Sequence, residues 1–245
     1  MNQMTVKATH KDVWERRFAS EGRLWGDEAS SPAKYFTRSV LQGNGARILE
    51  IGAGYGRDSN WFAENGHKVT AVDRAANALT VATSDLLDKI GSRDVIYVAA
   101  DFRDASIGAK SQDAFFSHRV LHLLGNNGVV EAFATLAARS LKTEGRLLVT
   151  ARSFDDFKPL QMDWIDEAAG VAKYKEDVAE LGDRRGQTLY FWNEEKLRNL
   201  FENDFDDISI VNGQEIESVG NVDDDGLPIM TNYVSISARR KYTPS

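Results

Sequence analysis

"RILEIGAGYGRDSNWFAENGHKVTAVD", residues 47–73, decides the fold. A short apolar run, 47–51, passes through Gly52, Gly54 and Gly56 into an amphipathic segment stopped by Gly66, and a second apolar run then closes on Asp73. A strand that turns through glycines into a helix is a common way of holding a nucleotide-like molecule, and glycine spacing separates one such ligand from another. A dinucleotide fingerprint, G-x-G-x-x-G from Gly52, needs a third glycine at position 57, which is Arg57. The pattern present is E-x-G-x-G-x-G, from Glu50 to Gly56.

Outward from this stretch the hydrophobic period keeps switching between two and 3.6 residues. "AANALTVATSDLLDKIG" predicts an amphipathic helix with Leu79, Ala82, Leu86, Leu87 and Ile90 on one face. "VIYVAAD" and "QDAFFSH" read as strands, "VVEAFATLAARSL" as a helix aligning Val130, Phe133, Ala137 and Leu141, and "GRLLVTA" as a fifth strand. Five strands separated by helices imply right-handed crossovers and a parallel sheet. The end differs. After a helix "NEEKLRNLFEN" capped by Asn193 come "DISIV" and "YVSISAR", joined by a polar, turn-rich stretch, so the sheet should finish with one reversed strand.

Motif, second acid (Asp73), third acid (Asp101) and terminal strand pair together resemble the class I S-adenosylmethionine-dependent methyltransferases. The resemblance implies an α/β, Rossmann-like, seven-stranded, mostly parallel sheet with an antiparallel last strand and helices on both faces. It covers nearly all of 1–245 as one domain: an N-terminal helical lid in 1–45, a cofactor-binding half in 46–151, a substrate-side insertion after the fifth strand in 152–192, and the C-terminal helix and strand pair in 193–245.

The implied cofactor is S-adenosylmethionine, and the implied product S-adenosylhomocysteine. Gly52 and Gly54, flanking Ala53, let the backbone approach the amino-acid end of the cofactor with no Cβ in the way. Asp73 accepts the two ribose hydroxyls; as a bare sequence feature it also suits the cap of the helix that follows. Asp101 and Phe102 hold the adenine, against the plainer reading of a loop acid beside a core phenylalanine. Glu50 orients the amino-acid part, because an acid inside a strand needs a partner. Arg57, Arg74, Ser117 and His118 complete the expected contacts.

"DAFFSHRVLHLL", 113–124, resembles the family segment whose strand ends beside the reactive methyl. His118 and His122 are therefore the catalytic candidates, with imidazole pKa values of about 6.5 suited to general-base work. His122, among leucines, reads equally as a core histidine. His118, at a strand's carboxyl end, is also placed to touch the cofactor.

Two segments are long enough to roof that edge. Trp14, Phe18, Trp25 and Tyr35 precede the first strand and resemble, loosely, the lid of the tellurite-resistance and thiopurine methyltransferases; Trp25 and Tyr35 are the expected substrate contacts there. The insertion offers Phe154, Phe157, Tyr190 and Trp192 as apolar walls, Phe154 and Tyr190 as substrate contacts, and a helical stretch with Trp164, Ala168, Val171 and Val178 on one face. Asp155, Asp156 and Asp163 read as a solvated acidic loop sooner than as a cation site, and Arg184 and Arg185 as solvated sooner than as an anion clamp.

Composition narrows the function. The chain has 245 residues, no cysteine and a formal charge of −7. Without thiols, chemistry on arsenic or on cytosine carbon is excluded, and no metal site is expected. The acidic balance disfavours nucleic acid and suggests small neutral or cationic acceptors. With no long apolar run and no secretory leader, the expected setting is cytoplasmic, away from membranes. The expected activity is methyl transfer to N, O or S of a small molecule, the alternative being a catalytically silent cofactor-binding module. Oligomeric state is open.

Overall fold

In a computed structural model of the chain, residues 9–89, 94–125, 127–216, 227 and 229–242 are described, apart from the side chains of 84–89. Ile90, Leu86 and Leu87 of the expected helical face, and most of the link between the last two strands, lie outside what is described.

Among the described residues ten strands form two sheets, accompanied by six α-helices. The large one takes β1 (Arg47–Ile51), β2 (Lys68–Asp73), β3 (Val95–Ala99), β4 (Gln112–Ser117), β5 (Leu141–Arg152), β9 (Phe205–Ile216) and β10 (Met230–Arg240) in the order β3-β2-β1-β4-β5-β10-β9. The first five are parallel, and β10 runs antiparallel to both β5 and β9. The order reverses between β1 and β4, the place where open α/β sheets gather ligands. One expectation changes: no helix separates β3 from β4. The link is built of turns in which the Asp101 carbonyl accepts from Asp104 and Ala105.

Alternation along the strands feeds two cores. Leu49, Phe115, Leu147 and Val149 face α5 (Asn127–Ser140) and α6 (Glu194–Phe201), where Phe133 stands edge-on to Phe115. Ile48, Phe116 and Leu148 face the other way, against Phe62 of α3 (Arg57–Glu64) and Phe36, which follows α2 (Ser31–Tyr35). Glu50 belongs to that second face, buried at 3% exposure. α4 (Ala76–Lys89) buries Leu79 and Ala82 as its period predicts.

The insertion overturns the helix expected around Trp164. It forms a three-stranded antiparallel sheet of β6 (Met162–Asp166), β7 (Val171–Tyr174) and β8 (Thr188–Tyr190). Trp164 pairs with Ala172 across a hairpin whose turn contains Ala168 and is closed by Asp166 Oδ1 accepting from Ala169 N–H at 2.9 Å. A four-residue spacing is shared by a helix face and by strand positions of even separation, and here Gly170, at φ +66°, fits the turn and not a helix. Phe157 stacks on Trp164 at 4.0 Å, so it fills the small core of this sheet.

α1 (His10–Glu21) is fixed at its start by a capping box between Thr9 and Asp12. Its Glu15 caps the next layer: the carboxylate accepts from Ala76 N–H at 2.8 Å and Asn77 N–H at 2.9 Å at the start of α4. Arg16 bonds Asp183 of the insertion at 3.1 Å. The two extra segments therefore meet over the carboxyl edge of the sheet.

Candidate active site

Under that roof lies a cavity of about 640 Å³. Its floor is the glycine turn. Gly52 and Gly54 have φ of +78° and +54°, and a Cβ on Gly52 would collide with Val120. Gly54 N–H donates to Asp73 Oδ2 at 2.8 Å, while Ala75 N–H donates to Asp73 Oδ1 at 2.8 Å. The Asp73 carboxylate thus ties the turn after β1 to the start of α4, as a cap of that helix. Each oxygen retains a lone pair for a ligand hydroxyl.

Glu50 accepts from Ser59 Oγ of α3. Burial, reinforced by the Asp58 carboxylate, pushes its pKa well above the usual range, and burial also raises that of Asp73. Asp58 itself accepts from Ser30 N–H at 2.7 Å and Ser30 Oγ at 2.8 Å. Asp58 also has Arg57 Nε at 3.9 Å, whereas Glu50 and Asp73, buried with no ion pair among the described residues, disfavour their own charge. A cationic ligand at this end of the cavity would relieve these two.

Asp101 and Phe102 also line the cavity, but each has a partner already. Arg103 forks onto Asp101 at 2.8 and 2.9 Å, and holds its carboxyl below the usual range. Phe102 packs edge-on to Phe133 in the main core.

At the tip of β4, His118 has both ring nitrogens engaged: Nδ1 lies 2.7 Å from Thr150 Oγ1 and Nε2 2.6 Å from Glu215 Oε2. Arg57, an expected cofactor contact, donates to Glu215 Oε1 at 3.2 Å and to the Trp25 carbonyl at 3.4 Å. His122, in the 3₁₀ turn Leu121–Leu123, is 5% exposed and lines the cavity with Nδ1 unpartnered among the described residues. Burial, then the charges of Arg152 and Arg119, lower its pKa well below the ordinary value. It is neutral at pH 7.

Ala53, Arg74, Trp25 and Tyr190 line the cavity as expected. Three other residues do not. Ser117 is fully buried and donates to the Ile51 carbonyl at 2.9 Å, joining β4 to β1. Tyr35 ends α2 with 47% exposure, because that helix turns its Pro32 and Ala33 inward. Phe154 lies under Lys196, 5.1 Å from its Nζ, and packs on Trp164. Trp192 is buried in the main core. Asp156, expected to be solvated, is 1% exposed and ion-paired to Arg152. Asp163 does stay exposed, 3.6 Å from Lys175.

Sequence reasoning missed Arg119, Arg152, Tyr174, Tyr55 and Glu215. Arg152 reaches Tyr174 Oη at 2.6 Å, and Tyr55 stacks on Trp25 at 6.0 Å while its hydroxyl donates to the Gly26 carbonyl at 2.8 Å. Residue spacing carries no signal for these pairs. A hint existed only for Arg119, which directly follows His118 in the strand-end segment.

A glycine turn bonded to the acid of the next strand, at the reversal of a β3-β2-β1-β4-β5-β10-β9 sheet, defines the class I S-adenosylmethionine-dependent methyltransferase fold. Residues 49–149 match the family model described as a methyltransferase domain. A methyltransferase of the class from Methanosarcina mazei superposes with a TM-score of 0.68 at 16% identity, over 88% of this chain and 100% of its own. The 1,6-didemethyltoxoflavin-N1-methyltransferase of Burkholderia thailandensis, solved with 1,6-didemethyltoxoflavin and S-adenosylhomocysteine, gives 0.63 at 21% identity, over 98% and 94%. TehB of Haemophilus influenzae gives 0.62 at 15% identity, over 93% and 67%. No curated protein matches the sequence.

Proposed function

We propose that the chain, as a single domain, transfers the methyl group of S-adenosylmethionine to a nitrogen, oxygen or sulfur of a small molecule held under the roof of α1 and the insertion. The observation that carries this is the 2.8 Å bond from Gly54 N–H to Asp73, which sets a Cβ-free turn and a ribose acceptor side by side on the cavity floor. The residues fit the cofactor on three counts: the Cβ-free backbone at Gly54, the free lone pairs of Asp73, and the buried carboxyl of Glu50, which has no ion pair among the described residues.

When bound, the cofactor supplies a sulfonium methyl: an acceptor lone pair forms the new bond to carbon as the carbon–sulfur pair returns to sulfur. The chain's own work is alignment and exclusion of water. His118, fixed at both nitrogens, holds the β4 tip in place. His122, neutral and with a free ring nitrogen, takes the proton where the acceptor carries one. Trp14, Phe18 and Trp25 pack at 5.7 to 6.3 Å from one another and close the side away from the sheet.

The test is formation of S-adenosylhomocysteine across a panel of small amines, thiols, phenols and acids, with cofactor binding followed by calorimetry. Tight cofactor binding with no turnover on any acceptor class would replace this reading by that of a silent binding module.

A further inference from the structure

The chain is acidic, yet the cavity is not. Eight arginines and five carboxylates line it. Among the described residues four of the arginines are ion-paired, Arg17 with Glu21 being one such pair. Arg57 and His118 share Glu215, Arg103 has Asp101, and Arg152 has Asp156. Arg119 differs. It makes no ion pair among the described residues, and its Nη1 is buried without a hydrogen-bond partner.

Arg119 is also held in place. Its backbone sits at φ +61°, a conformation that costs a non-glycine residue free energy, and its N–H donates to Thr150 Oγ1 at 3.1 Å. The guanidinium lies 5.7 Å from the Trp25 ring centroid, so one face is covered and the edge remains for a ligand. Burial, with Arg152 nearby, draws its pKa down to about 10 against the pull of the Glu215 and Asp156 carboxylates, neither of which pairs with it, and it stays charged at neutral pH. Three further buried ring nitrogens on the cavity wall lack partners: His122 Nδ1, His10 Nδ1 and Trp14 Nε1. The tryptophan nitrogen can only donate, and His10 Nδ1 donates in the right tautomer. An unpaired buried cation beside unpaired donors is costly until an acceptor-rich anion fills the space.

We propose that the methyl acceptor carries an oxyanion, a carboxylate or a phosphate, and that Arg119 receives it by a forked, charge-assisted pair. This rests on the methyl-transfer reading and corrects the expectation of neutral or cationic acceptors drawn from net charge. Overall charge averages over the surface, whereas the acceptor meets only the cavity wall.

The experiment uses the full chain and measures S-adenosylhomocysteine binding first, by calorimetry; failure there sinks the methyltransferase reading and leaves the anion titration to be run on the ligand-free protein. Benzoate, inorganic phosphate and benzylamine are then titrated in the presence and absence of saturating S-adenosylhomocysteine. Expected is saturable binding of benzoate or phosphate, retained with the product in place, and none of benzylamine. Binding by benzoate alone identifies a carboxylate acceptor, by phosphate alone a phosphate ester. Arg119→Met should weaken the anion at least tenfold, Arg119→Lys should recover part of the loss, and Arg198→Ala on the exposed face of α6 should change nothing. Should Arg119→Met fail to fold, the comparison of benzoate with benzylamine on the unaltered protein still decides. Binding of neither anion, preference for benzylamine, or loss of anion binding on addition of S-adenosylhomocysteine would overturn the proposal, the last by assigning Arg119 to the cofactor's own carboxylate.

Discussion

Glu215, near the end of β9, holds its Oε2 2.6 Å from His118 Nε2 at the tip of β4, although β5 and β10 stand between those strands in the sheet. The same carboxylate takes Arg57 at 3.2 Å. One acid from the last quarter of the chain thus fixes two residues of the cofactor half.

Its removal is informative at low pH. Burial raises the Glu215 pKa, but His118, Arg57 and Arg119 outweigh it and bring it from 4.5 to about 2. A carboxylate depressed on folding contributes stability that is present above its unfolded value and disappears as pH falls from 4.5 towards 2. That contribution is on the order of 3 kcal/mol, from about 1.4 kcal/mol per pKa unit. Urea unfolding at a series of pH values should show a shallower acid limb for Glu215→Gln than for the parent. Parallel limbs would reject the assignment.

Glu50 carries the opposite sign. Its pKa is raised on folding, so above 4.5 the folded state retains a proton that the unfolded state has lost, and stability falls as pH rises through that window. Glu50→Gln keeps an acceptor for Ser59 and removes the titrating group. The variant should be more stable than the parent at pH 8 by about 1 kcal/mol or more, while binding S-adenosylmethionine at least tenfold more weakly. Equal cofactor affinity would remove Glu50 from the site.

Asp73→Ala should weaken cofactor binding by roughly 2 to 4 kcal/mol, the loss of two charge-assisted bonds to the ribose. Gly54 N–H and Ala75 N–H also lose their acceptor, so thermal unfolding must be recorded alongside calorimetry. Unchanged affinity in a folded variant would rule out the ribose assignment.

His122→Asn breaks no hydrogen bond among the described residues, so folding should be nearly unaffected. For an acceptor that must lose a proton, kcat should fall by about 10² to 10⁴. An unaltered kcat would leave proton removal to water.

The roof should act as a unit, because Arg16 and Asp183 join its two halves. Trp25→Ala removes the stack on Tyr55 and the faces offered to Arg57 and Arg119. It and Tyr190→Ala should lower kcat/KM at least tenfold while leaving a cooperative thermal transition. Saturating cofactor should slow proteolysis of residues 9–30. Indifference of both cleavage and kcat/KM would remove the lid.

The glycine turn, Asp73, the succession of parallel strands up to β5 and the reversed β10 were legible because each is written locally. Glycine spacing fixes a backbone conformation, and period fixes an element. The insertion was misread for the same reason: Trp164, Ala168 and Val171 satisfy a helical spacing, and only the hairpin closed at Asp166 and Gly170 distinguishes strands. Tyr35 and Phe154 were chosen as large aromatics near the roof, yet which face of α2 turns inward, and which core Phe154 joins, depend on packing partners far along the chain.

By itself, then, the sequence determined the class of fold, the glycine cradle and the acid that faces it, since these depend on residues within one βαβ unit. Tertiary structure alone decided the charge of the cavity. Arg57 with Glu215 and Arg16 with Asp183 are separated by 158 and 167 residues. Which of these arginines are neutralised follows from distances of about 3 Å that only the folded chain creates.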